Sequence, residues 1–197
     1  MPTPNWTFSY NIAQTPEGNG FTRLNHTAPV PTVNAVTGGN PSQRRLEVTT
    51  QAPDPLTGQQ ANDMVFLVNN VPSFNVALGM TAEASVNVSG VGDVGFEARF
   101  VGIAISVSIF LNKVRLEAPW IQTIPTYIEA PTASNNADIL WRTTFDGANA
   151  MIYRAGVAVL GPTPIPLRVA ALPQSNFMFW FEGGGTGIIR SMNFYIG

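Results

Sequence analysis

The sequence predicts an all-β fold, a two-sheet antiparallel β-sandwich of the jelly-roll kind, on three observations. Apolar and polar residues alternate in many short segments, Gly and Pro separate those segments, and no stretch keeps a helical period. The run from Thr81 to Glu117 carries the pattern furthest. Ala82, Ala84, Val86 and Val88 share one face against Glu83, Ser85, Asn87 and Ser89, the two-residue period of a half-buried strand. Val94, Phe96, Ala98 and Phe100 then oppose Glu97 and Arg99, so two neighbouring strands are expected over one core, in a meander that continues through IAISVSIFL and VRLE.

Taken in order, Trp6 to Ile12 alternates Trp6, Phe8, Tyr10 and Ile12 against Thr7, Ser9 and Asn11, a first strand with an aromatic inner face. Residues from about 14 to 62 form a Pro/Gly-rich loop region of the same single domain. Arg45 to Thr50 is its one convincing strand, and Phe21 to His26 supplies a short edge piece. A long irregular region of this kind marks functional loops or segments that wrap a partner. Asp63 to Asn69 is a continuous apolar run suited to a strand buried on both faces. After the meander, turns dominate as far as Ser134-Asn135-Asn136. Strands resume at Ile139 to Phe145, Asp146-Gly147 signals a turn, and Met151 to Gly161 reads as a hairpin about Arg154-Ala155-Gly156. The chain end pairs Phe177 to Phe181 with Ile188 to Ile196 across Gly183 to Gly187, giving on the order of twelve short strands in all.

Composition removes several function classes. The 197-residue chain suits one large β-domain, and it has no cysteine for disulfides or thiolate metal sites. Charged residues are only 11% of the chain, less than half the roughly 25% usual in soluble domains. With net charge −2 and Lys113 the single lysine, no basic stripe exists to neutralise a phosphate backbone, so nucleic acid is not an expected partner. No stretch approaches the ~20 apolar residues of a membrane span, and the N-terminal residues lack the basic start and apolar run of a signal peptide. The expected location is a virion, or the extracellular space if the chain is cut from a longer secreted protein.

The last third carries a strand with Trp141 and Asp146-Gly147, the hairpin Ile152 to Val159, an FWFEGGG strand and turn, and the closing strand IIRSMNFYI. This order resembles the C-terminal half of the concanavalin A-like lectin/glucanase superfamily, of the laminin-G-like jelly-roll kind. The resemblance implies a curved sandwich whose concave sheet often binds glycans. It also implies that the first strand pairs beside the last, Trp6 to Ile12 on Ile188 to Ile196.

Hydrolytic members of that superfamily carry two glutamates and an aspartate alternating on one strand, and no Glu-x-Asp-x-Glu occurs here. The nearest arrangement is Asp93 and Glu97. They lie four positions apart, roughly 13 Å along an extended strand, too far for either hydrolytic geometry. His26 is the one histidine and sits in a Pro/Thr-rich loop, with no Gly-x-Ser-x-Gly elbow in the chain. No catalytic residue, and so no enzyme, is expected. The run Gly183 to Gly187 lacks the Lys-Ser/Thr and helix of a phosphate cradle and reads instead as a tight hairpin. No cofactor is expected. Calcium is the ion that Asp63, Asp138, Asp146, Asn69, Asn70, Asn135 and Asn136 would suit, but they show no ordered ligand spacing and read as turn formers.

Aromatic residues are the remaining ligand candidates, since sugar rings stack on exposed Trp and Tyr while Asn and Arg fix the hydroxyls. The carbohydrate-binding candidates are Trp120, Tyr127, Trp141, Arg142, Asn135 and Asn136. Trp180 also stands out, because alternation puts it on the opposite face from Phe179 and Phe181. Core packing is the competing role for each tryptophan, and the more common one. Two function classes follow. The preferred one is a non-catalytic structural or assembly protein, such as a phage or virion surface component, working as a homo-oligomer or with other structural subunits. The other is a carbohydrate-binding module of a secreted protein.

Overall fold

The computed structural model describes residues 6–25, 28–58, 60–69, 79–100, 103–117, 127–165 and 176–196. Fifteen strands lie among them: β1 (Trp6–Asn11), β2 (Thr22–Leu24), β3 (Thr32–Val36), β4 (Arg45–Thr50), β5 (Asp63–Asn69), β6 (Met80–Gly90), β7 (Asp93–Phe100), β8 (Ile103–Phe110), β9 (Lys113–Glu117), β10 (Tyr127–Pro131), β11 (Ile139–Phe145), β12 (Asn149–Arg154), β13 (Val157–Pro164), β14 (Asn176–Glu182) and β15 (Gly185–Ile196). One sheet runs β13-β12-β11-β6-β15-β4-β3, with β1 also on β15. The second runs β10-β9-β8-β7-β14-β5-β2, and all pairs in both are antiparallel.

The alternation seen in the sequence becomes the inner faces of this sandwich. Phe177, Phe179 and Phe181 of β14 are each no more than 1% exposed, as are Met192, Phe194 and Ile196 of β15 in the facing sheet. Phe177 stacks on Phe194 at 4.1 Å and so joins the two layers, while Phe66 stacks on Phe179 at 4.8 Å between neighbouring strands of the second sheet. Each such side chain contributes about 1.5–3 kcal/mol by leaving water. The first strand pairs on the last as expected, in a register that runs from Trp6 opposite Ile196 to Asn11 opposite Ser191.

Two pairings differ from expectation. Strands β14 and β15 are not a hairpin: β14 pairs β5 and β7 while β15 pairs β6, β4 and β1, so the Gly183–Gly184 turn carries the chain between sheets. The same holds for β6 and β7. They face one another across the core rather than lying side by side, and Gly90-Val91-Gly92 is their crossing. The two crossings pack on each other, with Gly92 N–H donating to the Gly184 carbonyl at 2.7 Å. A Cβ at Gly92 would stand 1.9 Å from the Glu182 carbonyl oxygen, so only glycine lets the corners close. Alternation fixes which residues a strand turns inward but says nothing of which sheet it joins.

Strand β5 is buried on one face, at Met64 and Phe66, and only half-buried on the other, rather than buried on both. Between residues 14 and 62 the structure places β2 and β3 as well as β4. Val33 and Ala35 of β3 pair with Val48 and Leu46 of β4 and pack against the core. Asn62, 2% exposed, donates to the Pro29 carbonyl at 2.6 Å and accepts from Gln51 N–H at 2.6 Å. Much of residues 29–55, part of the region expected to form functional loops or to wrap a partner, is thereby built into its own sandwich. Its apolar runs are short and proline-bounded, which hid β3 from pattern reading.

Candidate functional site

The outer face of the second sheet assembles polar and aromatic side chains in rows across the strands. Register sets the first row as Asp63, Glu182, Asp93 and Phe110. The second is Val65, Trp180, Gly95, Ser108, Arg115 and Glu129. The third is Leu67, Met178, Glu97, Ser106, Glu117 and Tyr127. The face is apolar toward β5, charged toward β9 and β10, and carries Asp93 and Glu97 between.

Trp180 is the centre of this arrangement. Its indole lies directly over Gly95, since a Cβ there would meet Cε2 and Cζ2 at 2.1 Å and Nε1 at 2.7 Å. The missing side chain at residue 95 is what gives the ring its seat. Nε1 donates to Asp93 Oδ2 at 3.1 Å and fixes the ring's orientation. Burial pushes the Asp93 carboxyl up to about 6; a hydrogen bond from Ser108 opposes the shift, the Glu182 charge adds to it, the Trp180 bond opposes it, and Glu117 adds to it. Glu97 is 5% exposed and accepts a hydrogen bond from Ser106 Oγ.

On the charged side, Arg115 lies 4.2 Å from the Tyr127 ring centre and 5.1 Å from that of Phe110. Its Nη2 pairs with Glu129 at 2.7 Å and its Nη1 with Glu117 at 3.3 Å. The Lys113 and Arg115 hydrogen bonds hold the Glu129 carboxyl below its usual range. Trp180, Asp93, Ser108, Phe110, Arg115 and Glu182 line an open hollow of 390 Å³. It offers an aromatic surface ringed by hydroxyl, carboxylate and guanidinium groups, the furniture of a small-ligand site.

The sequence-stated site residues do not form one site. Tyr127, 41% exposed, lies on this face. Trp141 is corrected: it is 0% exposed on the inner face of β11 in the other sheet, so it packs the core and cannot stack on a sugar. Arg142 is on the outer face of that first sheet, 3.4 Å from Glu83 and over the Tyr153 ring at 5.5 Å. Asn135 is also corrected, being 0% exposed and structural. It donates to the Phe110 carbonyl at 2.7 Å and accepts from Arg154 Nε at 2.9 Å. Asn136 is exposed in the loop before β11, away from the hollow. Trp120, His26 and Asn70 lie outside the described residues, as does the side chain of Asn69.

The oxygen donors suggested for calcium are dispersed. Asp146 Oδ1 accepts from the N–H groups of Ala148 and Asn149 at 2.9 and 2.7 Å, a turn role, and Asp138 pairs with Arg190. Among the described residues no group of three His, Cys, Asp or Glu side chains could hold a metal ion. Asp93, Ser108, Arg115, Glu117 and Glu182 were missed as site residues. A signal existed: GDVGFE and FWFE place Asp93, Gly95, Trp180 and Glu182 outward, but their adjacency requires knowing that β7 pairs β14.

No family model and no curated relative matches the sequence. Solved structures do match in shape. A carbohydrate esterase from the Shiga toxin-encoding bacteriophage phi24B aligns at TM-score 0.62 and 11% identity, over 96% of this chain and 97% of that one. A Bacillus licheniformis beta-glucanase aligns at 0.61 and 9%, over 97% and 98%. The carbohydrate recognition domain of Emp46p aligns at 0.59 and 11%, over 92% and 90%. The chain therefore has the concanavalin A-like jelly-roll fold.

Proposed function

We propose that this protein is a non-catalytic glycan-binding sandwich whose ligand stacks on Trp180. The observation that carries the reading is the indole seated over Gly95, between the two carboxylates of the same strand. The fold hosts catalysis in some neighbours and recognition in others, so the decision rests on the site. Retaining hydrolysis needs two carboxylates about 5–5.5 Å apart and inverting hydrolysis about 6.5–9.5 Å, flanking the bond to be cut. Asp93 and Glu97 are four residues apart on β7, and the Trp180 ring occupies the ground between them. Glu182 stands opposite Asp93 at ordinary strand spacing, but Asp93 already accepts from Trp180 and Ser108. An indole face with its edge groups fixed is instead a platform for the apolar face of a pyranose, with Glu182 and Arg115 on the wall of the hollow as polar neighbours for its hydroxyls.

A glycan array followed by titration calorimetry tests the reading. Binding is expected in the parent and lost in Trp180→Ala, with no reducing sugar released from any bound glycan. Sugar release that disappears in Asp93→Asn or Glu182→Gln would restore an enzyme.

We further propose that the sandwich works as a component of a larger assembly, on a virion or outside the cell, as a homo-oligomer or beside other structural subunits. Scarce charge supports this, as do large apolar side chains left in water, Leu56 at 95%, Val91 at 76% and Val157 at 67% exposed. Light scattering across a concentration series should give masses above the 21.1 kDa of one chain. A fixed monomer mass at every concentration removes the oligomer.

A further inference from the structure

Each end of an open sheet presents a row of backbone N–H and C=O groups, which is either blunted or available to another chain. Four strands end the two sheets here: β13 and β3 in the first, β10 and β2 in the second. Three of them carry a blunting device. β10 has Glu129 at its centre and Pro131 at its end, and β13 contains Pro162 and Pro164 and shifts register against β12. β2 is three residues long with Arg23 in the middle. β3 has no such device. Its residues Thr32-Val33-Asn34-Ala35-Val36 include no charge and no proline, they pair β4 without a register shift, and no described strand pairs their far side. β1 does not shield that edge: β4 and β1 share one side of β15, at residues 185–189 and 191–196, so β1 stands one strand inside β3.

We infer that β3 is the contact through which two copies of this chain pair, antiparallel about a two-fold axis at Asn34, so that their first sheets run on as one. This rests on the proposed homo-oligomer and gives it a surface. Symmetry decides between the edges, because a two-fold pair sets the central residue of a strand against its own copy. β10 would bring two glutamates together at Glu129 and β2 two arginines at Arg23, and like charges directly opposite destabilise a sheet. On β3 the residue at the axis is Asn34, exposed and neutral, whose amide can donate to and accept from its copy at once. The pairs beside it also match. Val33 falls opposite the second copy's Ala35 on the inner face, and Thr32 opposite its Val36 on the outer. Val33 and Ala35 lie beside buried Val48 and Leu46 yet are only half-buried at the margin of the core, and the second copy completes their cover. Behind this edge Arg45 and Glu47 of β4 are 3.1 Å apart and already matched, so no unpaired charge of theirs meets the newcomer. β4 touches β5 and β10 touches β13, so β2 and β3 end their sheets on the same flank. Val30 at 63% and Leu24 at 38% exposed add apolar surface there.

The test begins with light scattering, in which the parent should approach twice the 21.1 kDa of one chain at high concentration and dissociate on dilution. Asn34→Lys sets two lysines face to face from an exposed position and should raise the dissociation constant roughly tenfold. Asn34→Cys reads the geometry directly. The chain has no cysteine of its own, and residues opposite in an antiparallel pair have Cα atoms ~4.5–5.5 Å apart, within disulfide reach. Under mild oxidation this variant should run as a covalent dimer on a non-reducing gel, and form it faster than Asn136→Cys in an exposed loop. Circular dichroism spectra like the parent's show each variant folded. A parent that stays monomeric at every concentration removes the homo-oligomer and this surface together. A parent oligomer that Asn34→Lys leaves intact and Asn34→Cys does not lock refutes the β3 pair and leaves the oligomer to another surface. A mass that climbs without limit refutes the closed two-fold.

Discussion

Replacing Gly95 by alanine puts the account of the Trp180 seat under direct strain. Gly95 lies in extended strand that alanine adopts freely, so the backbone does not object, but the new methyl would sit 2.1 Å from two indole carbons. The ring must move, because strand backbone on β7 cannot. Overpacking of this sort costs about 1–3 kcal/mol. Displacing Nε1 from Asp93 also removes a hydrogen bond to a charged group, worth about 1.5–3 kcal/mol. Against these stand about 0.5–1 kcal/mol from replacing a strand glycine and the freedom of a half-exposed indole to reach water. The net expectation is a loss of about 2 kcal/mol in urea unfolding and at least a tenfold loss of glycan affinity, since 1.4 kcal/mol is a factor of ten. In a Trp180→Ala background the same substitution meets no ring and should cost nothing, giving a coupling energy of about 2 kcal/mol in the double-mutant cycle. Additive single-mutant effects, or a Gly95→Ala protein that binds glycan and unfolds like the parent, would refute the reasoning.

The Asp93 carboxyl titrates near 6 in the folded chain against 3.8 unfolded, so ionising it opposes folding: this contribution is most favourable below pH ~4 and is lost as pH rises through 6. Asp93→Asn should therefore stabilise the protein at pH 7.5 by up to about 3 kcal/mol, with the gain vanishing toward pH 4 in denaturation curves. A gain that does not change with pH would contradict the burial argument. Asn135→Ala takes a hydrogen-bond partner from the Phe110 carbonyl and from Arg154 Nε and should cost about 3 kcal/mol in urea unfolding without touching the glycan affinity. Trp141→Phe, whose buried Nε1 makes no hydrogen bond, should change stability by less than about 1.5 kcal/mol and leave glycan binding intact. Loss of binding by a folded Trp141→Phe protein would return that residue to the site.

What the sequence revealed, and what it withheld, follow from the period of a strand. Alternation identified the inward faces of β6, β7 and β14, and the first strand met the last as the superfamily resemblance implied. Alternation carries no information about partners. The glycine corners at 90–92 and 183–184 could have been hairpins or crossings, and only the pairing of β6 and β15 in one sheet and of β7 and β14 in the other settles which. The same blindness concealed the site. Trp180 was legible as outward-facing, yet the reason for its posture is Gly95, 85 residues away in the chain and opposite it in the register. Trp141 was misplaced because a lone tryptophan beside arginine and asparagines looks the same in sequence whether the strand turns it in or out. Here Phe145, Thr143 and Trp141 share the inward face, and the ring closes the core.

The central claim is that a glycan lies on the indole of Trp180. The chain has four tryptophans and so four indole N–H resonances in a nitrogen-15 correlation spectrum, of which Trp180→Phe removes one and assigns it. Titration with a glycan found on the array should move that resonance first and most, while the signal assigned by Trp141→Phe stays in place. A titration that saturates with the Trp180 signal unmoved would contradict the account.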